Sequence, residues 1–225
     1  MIKAVFATKN KMSNIKINKH SSIRIEDGKV LYFDPFQIED ASFDADLVFI
    51  THEHYDHFEP KSMEKISKSD TIFIVPLVMK DKMIQAGFDE DWCEFMSPGD
   101  EIEIGEDDEI KIKAVHSYNT DKPNHLKEYD WLGYIVSLGG TSYYVAGDTD
   151  DNEDIRKVVC DVALVPVGGT YTMDAKQAAN FVATINPKVA IPTHYGSIVG
   201  NANDGEKFKE HLQKINKEIK CEILI

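Results

Sequence analysis

Three of the chain's eight histidines lie within six residues, in the stretch THEHYDH at positions 51–57. His52, His54 and His57 share this stretch with Asp56, directly after an apolar run. Imidazole nitrogens and carboxylate oxygens bind divalent metal ions, and the same groups transfer protons in catalysis. A metal centre, a proton relay and a crowded polar turn are therefore the three interpretations to separate.

The spacing of the two leading histidines favours the metal centre. Residues two apart point in different directions on a helix but to the same side of a strand. The apolar residues 47–50, LVFI, predict a buried strand, so His52 and His54 would face the same way. Asp56 and His57 follow in a loop that can turn towards the same hollow. Because one tetrahedral ion needs about four ligands, the stretch suffices for one site and is compatible with two.

Further ligand-type side chains follow three other predicted strands. His116 comes after EIKIKAV, Asp148 after TSYYVA, and His194 after KVAIP. Taken singly, each would carry little weight, since a histidine after a strand is more often a surface residue. Together with the 51–57 stretch, they predict an active site where several strand ends meet.

The elements that must position these residues alternate between strands and helices. The Asp27-Gly28 pair predicts a hairpin turn, and the Gly139-Gly140 pair predicts another, between residues 131–138 and 141–146. Helices are predicted at 60–66, 76–86, 174–185 and 206–219, the last with an apolar face of Phe208, Leu212, Ile215 and Ile219. The remaining predicted strands include 47–50, 101–104, 109–115, 162–167 and 189–192. This order predicts an α/β fold, with two sheets sandwiched between helices in one domain spanning residues 1–225.

Composition narrows the class of protein. With 225 residues, 42% of them hydrophobic and 28% charged, the chain matches an ordinary globular domain. A net charge of -14 argues against nucleic acid as a partner. The three cysteines are odd in number and widely spaced, which argues against a disulfide framework or a CxxC site. No apolar run could span a membrane, and the N-terminal MIKAVFATKNKMS lacks a secretory pattern, so we expect a cytoplasmic protein.

The order THxHxDH, a lone histidine, GDT and a late histidine resembles the metallo-β-lactamase superfamily. The stretches HSSIRIEDGKVLYFDPF, VPVGGTYTMDAKQAANFV and PKVAIPTHYG extend the resemblance over nearly the whole chain. They look like the small, single-domain branch of metal-dependent hydrolases, similar to ascorbate 6-phosphate lactonase and more distantly to N-acyl phosphatidylethanolamine phospholipase D. The resemblance implies a four-layer αββα sandwich.

The resemblance also implies a dinuclear metal centre. It assigns His52, His54 and His116 to a first ion, and Asp56, His57 and His194 to a second, with Asp148 bridging both. A hydroxide between the ions would be the nucleophile, and Asp56 could orient it or carry its proton. Zinc is the first choice of metal, with manganese or iron as alternatives. The flavin-linked di-iron branch has a glutamate where this chain has His54, which favours zinc or manganese over iron.

Other residues are candidates for substrate contacts. His20 matches a position near the metals in relatives, and His125 lies in a long polar segment typical of an active-site loop; a structural role and an exposed, mobile imidazole are their respective alternatives. Tyr171 and Tyr195 could contact substrate or pack as core rings. Asp34, in YFDPF, resembles an aspartate that orients a ligand imidazole, and a plain turn aspartate is the alternative.

These features predict a metal-dependent hydrolase that acts on an ester, lactone or related bond of a small molecule. A phosphodiesterase of the same fold, a mononuclear iron oxidoreductase and a non-catalytic metal-binding module are the alternatives. We expect a small-molecule substrate, no nucleic-acid partner and no membrane-spanning segment. The chain could form a homo-oligomer.

Overall fold

A computed structural model describes residues 14–105 and 110–225. Its strands form two sheets, one of six strands and one of seven. The first sheet contains, in spatial order, β1 Ile15–Lys19, β2 Ser22–Asp27, β3 Lys29–Phe33, β4 Ala45–Phe49, β5 Ser67–Pro76 and β6 Cys93–Met96. The second runs in the order β13-β12-β11-β10-β9-β8-β7, from β7 Glu101–Ile104, β8 Ile110–His116, β9 Leu132–Leu138, β10 Thr141–Val145, β11 Val162–Pro166, β12 Val189–Thr193 and β13 Lys220–Cys221.

Four helices flank the sheets: α1 Pro60–Ile66, α2 Lys80–Gln85, α3 Ala175–Ile185 and α4 Asp204–Ile215. Buried apolar side chains form three layers between these elements. The layer between the two sheets includes Phe33, Phe49, Ile112, Tyr134 and Val145. A second layer joins α3 and α4 to the seven-stranded sheet, and a third joins α1 and α2 to the six-stranded sheet. The predicted four-layer αββα sandwich is therefore confirmed.

Most of the predicted elements are present. The hairpin turns at Asp27-Gly28 and Gly139-Gly140 join antiparallel strands, β2 with β3 and β9 with β10. Asp174 begins α3 as predicted, because its side chain accepts hydrogen bonds from the backbone N–H groups of Lys176 and Gln177.

Two predicted helices differ from the structure. The helix expected over 76–86 divides into a 3₁₀ turn, Leu77–Met79, and then α2. The helix expected over 206–219 ends at Ile215, which is exposed. Of the predicted apolar face, only Phe208 and Leu212 are therefore buried residues of the helix. Ile219 lies beyond the helix end and is buried in the same apolar layer as Phe208 and Leu212.

Strand direction brings the polar residues to one edge of the sandwich. Strands β3 to β6 are mutually parallel, and so are β10 to β13. Loops at the carboxyl ends of parallel strands meet at one edge of a sheet, which is where ligands usually bind. This edge therefore collects residues that follow β3, β4, β10 and β12.

No helix within residues 14–105 and 110–225 combines the length and apolar character that crossing a bilayer requires. Residues 1–13, for which the sequence predicts no secretory signal, lie outside the described residues. Glu109, the first residue of the strand predicted over 109–115, also lies outside the described residues, and β8 begins at Ile110.

Candidate metal centre

The first sheet contributes the 51–57 stretch, which turns sharply after β4. The backbone N–H groups of His57 and Phe58 both donate to the carbonyl of His54, at 3.0 and 2.8 Å, so the chain closes into one tight turn. This turn places His52, His54, Asp56 and His57 around the same hollow, as the spacing predicted. His54 is the partly exposed member of the group, and the other three are buried.

Asp34, which follows β3, fixes the beginning of this turn. Its carboxylate accepts hydrogen bonds from the backbone N–H of Thr51 at 2.8 Å and from the Thr51 hydroxyl at 2.7 Å. The same carboxylate lies 2.7 Å from Nδ1 of His57. Because a carboxylate only accepts, Nδ1 must carry the proton. Nε2 of His57 is thereby left as the nitrogen that faces the hollow.

The second sheet contributes Asp148 after β10 and His194 after β12. Gly147, with φ of 64°, precedes Asp148, and a Cβ there would lie 3.0 Å from both the Thr51 side chain and the Leu132 carbonyl. Only glycine permits this close approach in that conformation. The N–H of His194 donates to the carbonyl of His20 at 3.2 Å, so the second sheet is also tied to the first beside the site.

Asp148 lies at the centre of the cluster. Its Oδ1 is 3.3 Å from Nε2 of His57, while its Oδ2 is 3.3 Å from Nε2 of His125 and 3.1 Å from Nε2 of His194. Asp56 lies beside it, with Oδ2 3.4 Å from Nε2 of His20. One carboxylate thus contacts imidazoles on two sides of the hollow.

The ligand-type atoms fall into three groups, two of which share His52, and each group is compact enough to surround one ion. Within a group, all the atoms lie within 4.8 Å of one another. The groups are His52, His54 and His125; His20, Asp56 and His194; and His52, His57 and Asp148.

Several of these atoms are buried without a hydrogen-bond partner in the described part of the chain: Nε2 of His20, His57 and His125, both ring nitrogens of His194, and Oδ1 of Asp148. Buried polar atoms are normally paired, so a convergent set of unpaired ones needs an explanation. Divalent cations prefer this mixture of imidazole and carboxylate donors. The residues therefore fit bound metal ions.

Electrostatics keep Asp148, His52 and His54 in the form that metals require. Burial by itself would lower the pKa of His57 and of His194, but the Asp148 carboxylate outweighs it and raises both pKa values. Burial by itself raises the pKa of Asp148, but the neighbouring His194 and His57 outweigh it and hold that pKa well below its usual range. Burial, reinforced by the charge of His57, holds the pKa of His52 well below its usual value. Burial with the charge of His125 also lowers the pKa of His54. These shifts favour an ionised Asp148 and neutral His52 and His54, each imidazole with one ring nitrogen that can accept.

The structure places one predicted ligand, His116, outside the cluster. Its Nε2 lies 2.8 Å from the carbonyl oxygen of Lys127 and 3.4 Å from Asp130. Among the described residues, it belongs to none of the three groups. The segment after β8 folds back instead and brings His125 next to His52 and His54, where the family resemblance implied His116.

His125 is buried, so its alternative as an exposed, mobile imidazole is excluded. The N–H of Asn119 donates to the carbonyl of His125 at 2.7 Å, and the Asn119 side-chain nitrogen lies 3.2 Å from Nδ1 of the imidazole. The indole of Trp131 lies against the rings of His52, His54 and His125, with centroids 4.7 to 5.4 Å apart. Sequence patterns did not single out Asn119 or Trp131 individually, since neither is a usual ligand type.

The remaining candidates for substrate contacts, Tyr195, Tyr171 and His20, lie in three different surroundings. Tyr195 takes the packing alternative, because its ring is buried under α4 and its hydroxyl group lies against Gly205. Tyr171 is 40% exposed, and its carbonyl accepts a hydrogen bond from Asn119 at 2.8 Å, so its role stays a prediction. His20 is buried within the cluster itself, with its Nδ1 3.1 Å from the Ser197 hydroxyl.

Three of the site residues hold unusual backbone conformations. Asp34, His20 and His194 have φ values of 45°, 56° and 59°, in the left-handed region that non-glycine residues rarely adopt. Strain of this kind persists only where the surroundings enforce it, and it concentrates at functional sites. Each of these residues directs its side chain into the cluster or against it.

Comparison with known proteins agrees with this geometry. Residues 14–194 match the model of the beta-lactamase superfamily domain. A UPF0173 metal-dependent hydrolase from Thermoplasma acidophilum is 30% identical over 213 residues, covering 88% of this chain and 91% of the relative. A crystal structure from Parabacteroides distasonis, of a protein described as a metal-dependent hydrolase, has a TM-score of 0.73 and 28% identity, covering 93% of this chain and 91% of that one. Igni18, a metallo hydrolase from Ignicoccus hospitalis, has a TM-score of 0.76 at 23% identity, covering 93% of each chain, which shows the shared fold.

Proposed function

This chain belongs to the beta-lactamase superfamily and is a metal-dependent hydrolase, and we propose that it cleaves an ester or lactone bond of a small molecule at a two-ion centre. The position of Asp148 is the observation that carries this proposal. Its two oxygens face different imidazoles, Oδ1 towards His57 and Oδ2 towards His125 and His194. A carboxylate placed in this way is suited to sharing two ions.

The first ligand set is one of the groups of convergent atoms, and the second combines members of the other two groups. His52, His54 and His125 would hold a first ion. Asp56, His57 and His194 would hold a second, since Oδ2 of Asp56 lies 3.7 Å from Nε2 of His57 and 3.8 Å from Nε2 of His194. Divalent ions at these positions supply a water of lowered pKa and polarise the carbonyl under attack. Zinc suits the donor set of five imidazoles and two carboxylates, and manganese is the alternative.

The chain's own residues have three tasks in this proposal. Asp34 orients His57 through the 2.7 Å contact at Nδ1. The paired Asp56 and His20, 3.4 Å apart, form a carboxylate–imidazole couple that can hold a proton released during hydrolysis. The partly exposed His54 lies on the open side of the centre, so substrate would approach there.

Metal content and turnover measured on the same samples test the proposal. Protein loaded with zinc or manganese and then desalted is expected to retain two ions per chain by plasma mass spectrometry. It should also hydrolyse some members of a panel of esters and lactones. Retention of one iron with oxygen consumption would contradict hydrolysis, whereas two bound ions with no turnover across ester, lactone, thioester and phosphodiester panels would favour a non-catalytic module.

Asp148→Asn tests the shared carboxylate in the same assays. The substitution removes the charge that faces both ion positions, so we expect both ions and the hydrolytic activity to be lost. Asp161→Asn is the matched control, because Asp161 accepts hydrogen bonds from the Ser142 N–H and hydroxyl at 2.9 and 3.0 Å, before β11 and away from the centre. If Asp148→Asn keeps two ions and full turnover, Asp148 does not bridge them.

A further inference from the structure

A cleft of about 410 Å³ opens directly beside the metal centre. Its lining residues are Glu53, His54, Val78, Met79, Asn124, Glu128, Tyr129 and Trp131. His54 belongs to both the cleft and the centre, so a molecule in the cleft reaches the proposed first ion without crossing bulk solvent. This volume falls in the range of sites for small organic ligands.

Two loops that are distant in the sequence build the cleft. The 3₁₀ turn Leu77–Met79 follows β5, which runs parallel to β4, so both strands end at the same edge of the first sheet. The opposite side comes from a second 3₁₀ turn, Lys127–Tyr129, in the segment between β8 and β9. The ring of Tyr129 lies against Trp131 at a centroid distance of 4.8 Å, and Trp131 in turn lies against His54 at 4.9 Å.

The walls carry apolar side chains that solvent still reaches. Val78 is 56% exposed, and Tyr129 is 40% exposed. Large apolar side chains gathered at one place on a surface commonly mark a binding site. Their position next to His54 associates this surface with the reaction rather than with general packing.

The charged groups of the cleft are acidic. Glu53 and Glu128 line it, and among the described residues that do so there is neither lysine nor arginine. Lys82, which is not among these lining residues, pairs its ammonium group with the Glu53 carboxylate at 2.7 Å. An anionic chain end held among these residues, away from the proposed ions, would therefore lose its hydration without gaining a lysine or arginine partner, which is unfavourable.

We propose that this cleft binds an uncharged, apolar acyl chain of the substrate and disfavours substrates whose chain ends in an anionic group. Val78 and Tyr129 would contact the chain, while the acidic rim would repel a carboxylate or phosphate. The identity of the reacting bond, an ester or lactone, rests on the proposed function; the new inference concerns only the acyl chain. It directs the search for substrates towards neutral aliphatic or aromatic esters and lactones and away from phosphorylated sugars.

Two esters of equal chain length test the proposal on zinc-loaded protein. The 4-nitrophenyl esters of hexanoic and adipic acids carry the same reacting bond, but the six-carbon chain ends in a methyl group or in a carboxylate. We expect kcat/KM to favour the hexanoyl ester by about tenfold or more. Val78→Lys should reverse the preference by giving the adipoyl carboxylate a partner. Val159→Lys is the control, because Val159 is 83% exposed and lies outside the cleft.

A binding measurement keeps this inference separate from the proposed reaction. The chain has two tryptophans, so Trp92→Phe leaves Trp131 as the reporter of the cleft. Hexanamide should shift its fluorescence saturably, and adipamic acid should bind about tenfold more weakly or less.

The outcomes separate the two proposals. If neither ester is cleaved but hexanamide binds and Val78→Lys abolishes its binding, the cleft assignment stands and ester hydrolysis falls. If the two amides bind equally, or Val159→Lys has the same effect as Val78→Lys, the cleft assignment is overturned even where esters are hydrolysed.

Discussion

Replacing the Asp34 carboxylate by an amide should weaken metal binding without displacing the backbone. Asp34 has a φ of 45°, a conformation that asparagine tolerates nearly as well as aspartate. Asp34→Asn is also close to isosteric. The substitution therefore changes the charge and one acceptor of the carboxylate, and it leaves the turn after β3 unchanged.

The expected magnitude follows from the three contacts of Asp34. Its Oδ1 accepts from the Thr51 backbone N–H, and asparagine can keep that bond. Its Oδ2 contacts the Thr51 hydroxyl and Nδ1 of His57, and there the amide would present N–H groups to an imidazole N–H. His57 can relieve the conflict only by moving its proton to Nε2, 3.3 Å from Oδ1 of Asp148. That nitrogen could then no longer bind a metal ion.

Loss of a residue that orients a metal ligand typically costs about 10- to 100-fold in metal affinity, which corresponds to about 1.4–2.8 kcal/mol. We therefore expect the Kd for zinc, measured by equilibrium dialysis against a competing chelator, to rise by about one to two orders of magnitude. Asp161→Asn should leave it unchanged, because that carboxylate makes the same kind of bonds to a serine hydroxyl and N–H. An unaltered Kd in Asp34→Asn, with the native circular dichroism spectrum preserved, would refute the orienting role of Asp34.

Two further predictions concern the site and its support. His125→Ala should remove at least one bound zinc ion per chain, whereas His116→Ala should retain both, since only His125 lies among the ligand-type atoms; equal metal contents in the two variants would contradict this. Tyr134→Phe should lower the free energy of unfolding by about 1 kcal/mol, because the Tyr134 hydroxyl donates to the buried carbonyl of Ile50 at 2.7 Å. Thermal unfolding measures this loss, and Tyr144→Phe is the control: it should leave the free energy of unfolding unchanged, because the buried Tyr144 hydroxyl has no hydrogen-bond partner among the described residues. Equal losses of stability in the two variants would contradict the role of the Tyr134 hydrogen bond.

The parts of the site that adjoin regular strands were predictable from the sequence. A strand end fixes where the next few side chains can point, so the positions of His52, His54, Asp148 and His194 follow from local pattern and strand order. The alternation of apolar residues likewise predicted the two sheets and the layers of helices around them. In these places, short-range geometry determines the outcome.

The part contributed by a long loop was not predictable in the same way. His116 stands at a strand end and His125 lies within the following segment, so the pattern favoured His116. What places His125 in the hollow is a set of contacts that no strand or helix period describes: the hydrogen bond from Asn119 within the loop, and the packing of Trp131 on His52, which lies far away in the sequence. Periodicity carries no information about such contacts. The choice between substrate contact and core packing for Tyr195 was open for a related reason: its neighbour His194 enters the hollow, while the Tyr195 ring packs under α4.

The site depends on the contact between the two sheets more than on either sheet alone. The first sheet supplies His52, His54, Asp56 and His57, and the second supplies the Asp148 that faces them. The backbone hydrogen bonds that join the sheets end beside these ligands: Leu132 N–H donates to the Thr51 carbonyl at 3.0 Å, and His194 N–H to the His20 carbonyl at 3.2 Å. An ion held by residues from both sheets binds only when the sheets are packed, so its binding free energy also stabilises their packing. The cluster of unpartnered buried polar atoms is therefore a cost to the metal-free fold that bound ions would offset, and metal binding and the native contact between the sheets form one cooperative unit.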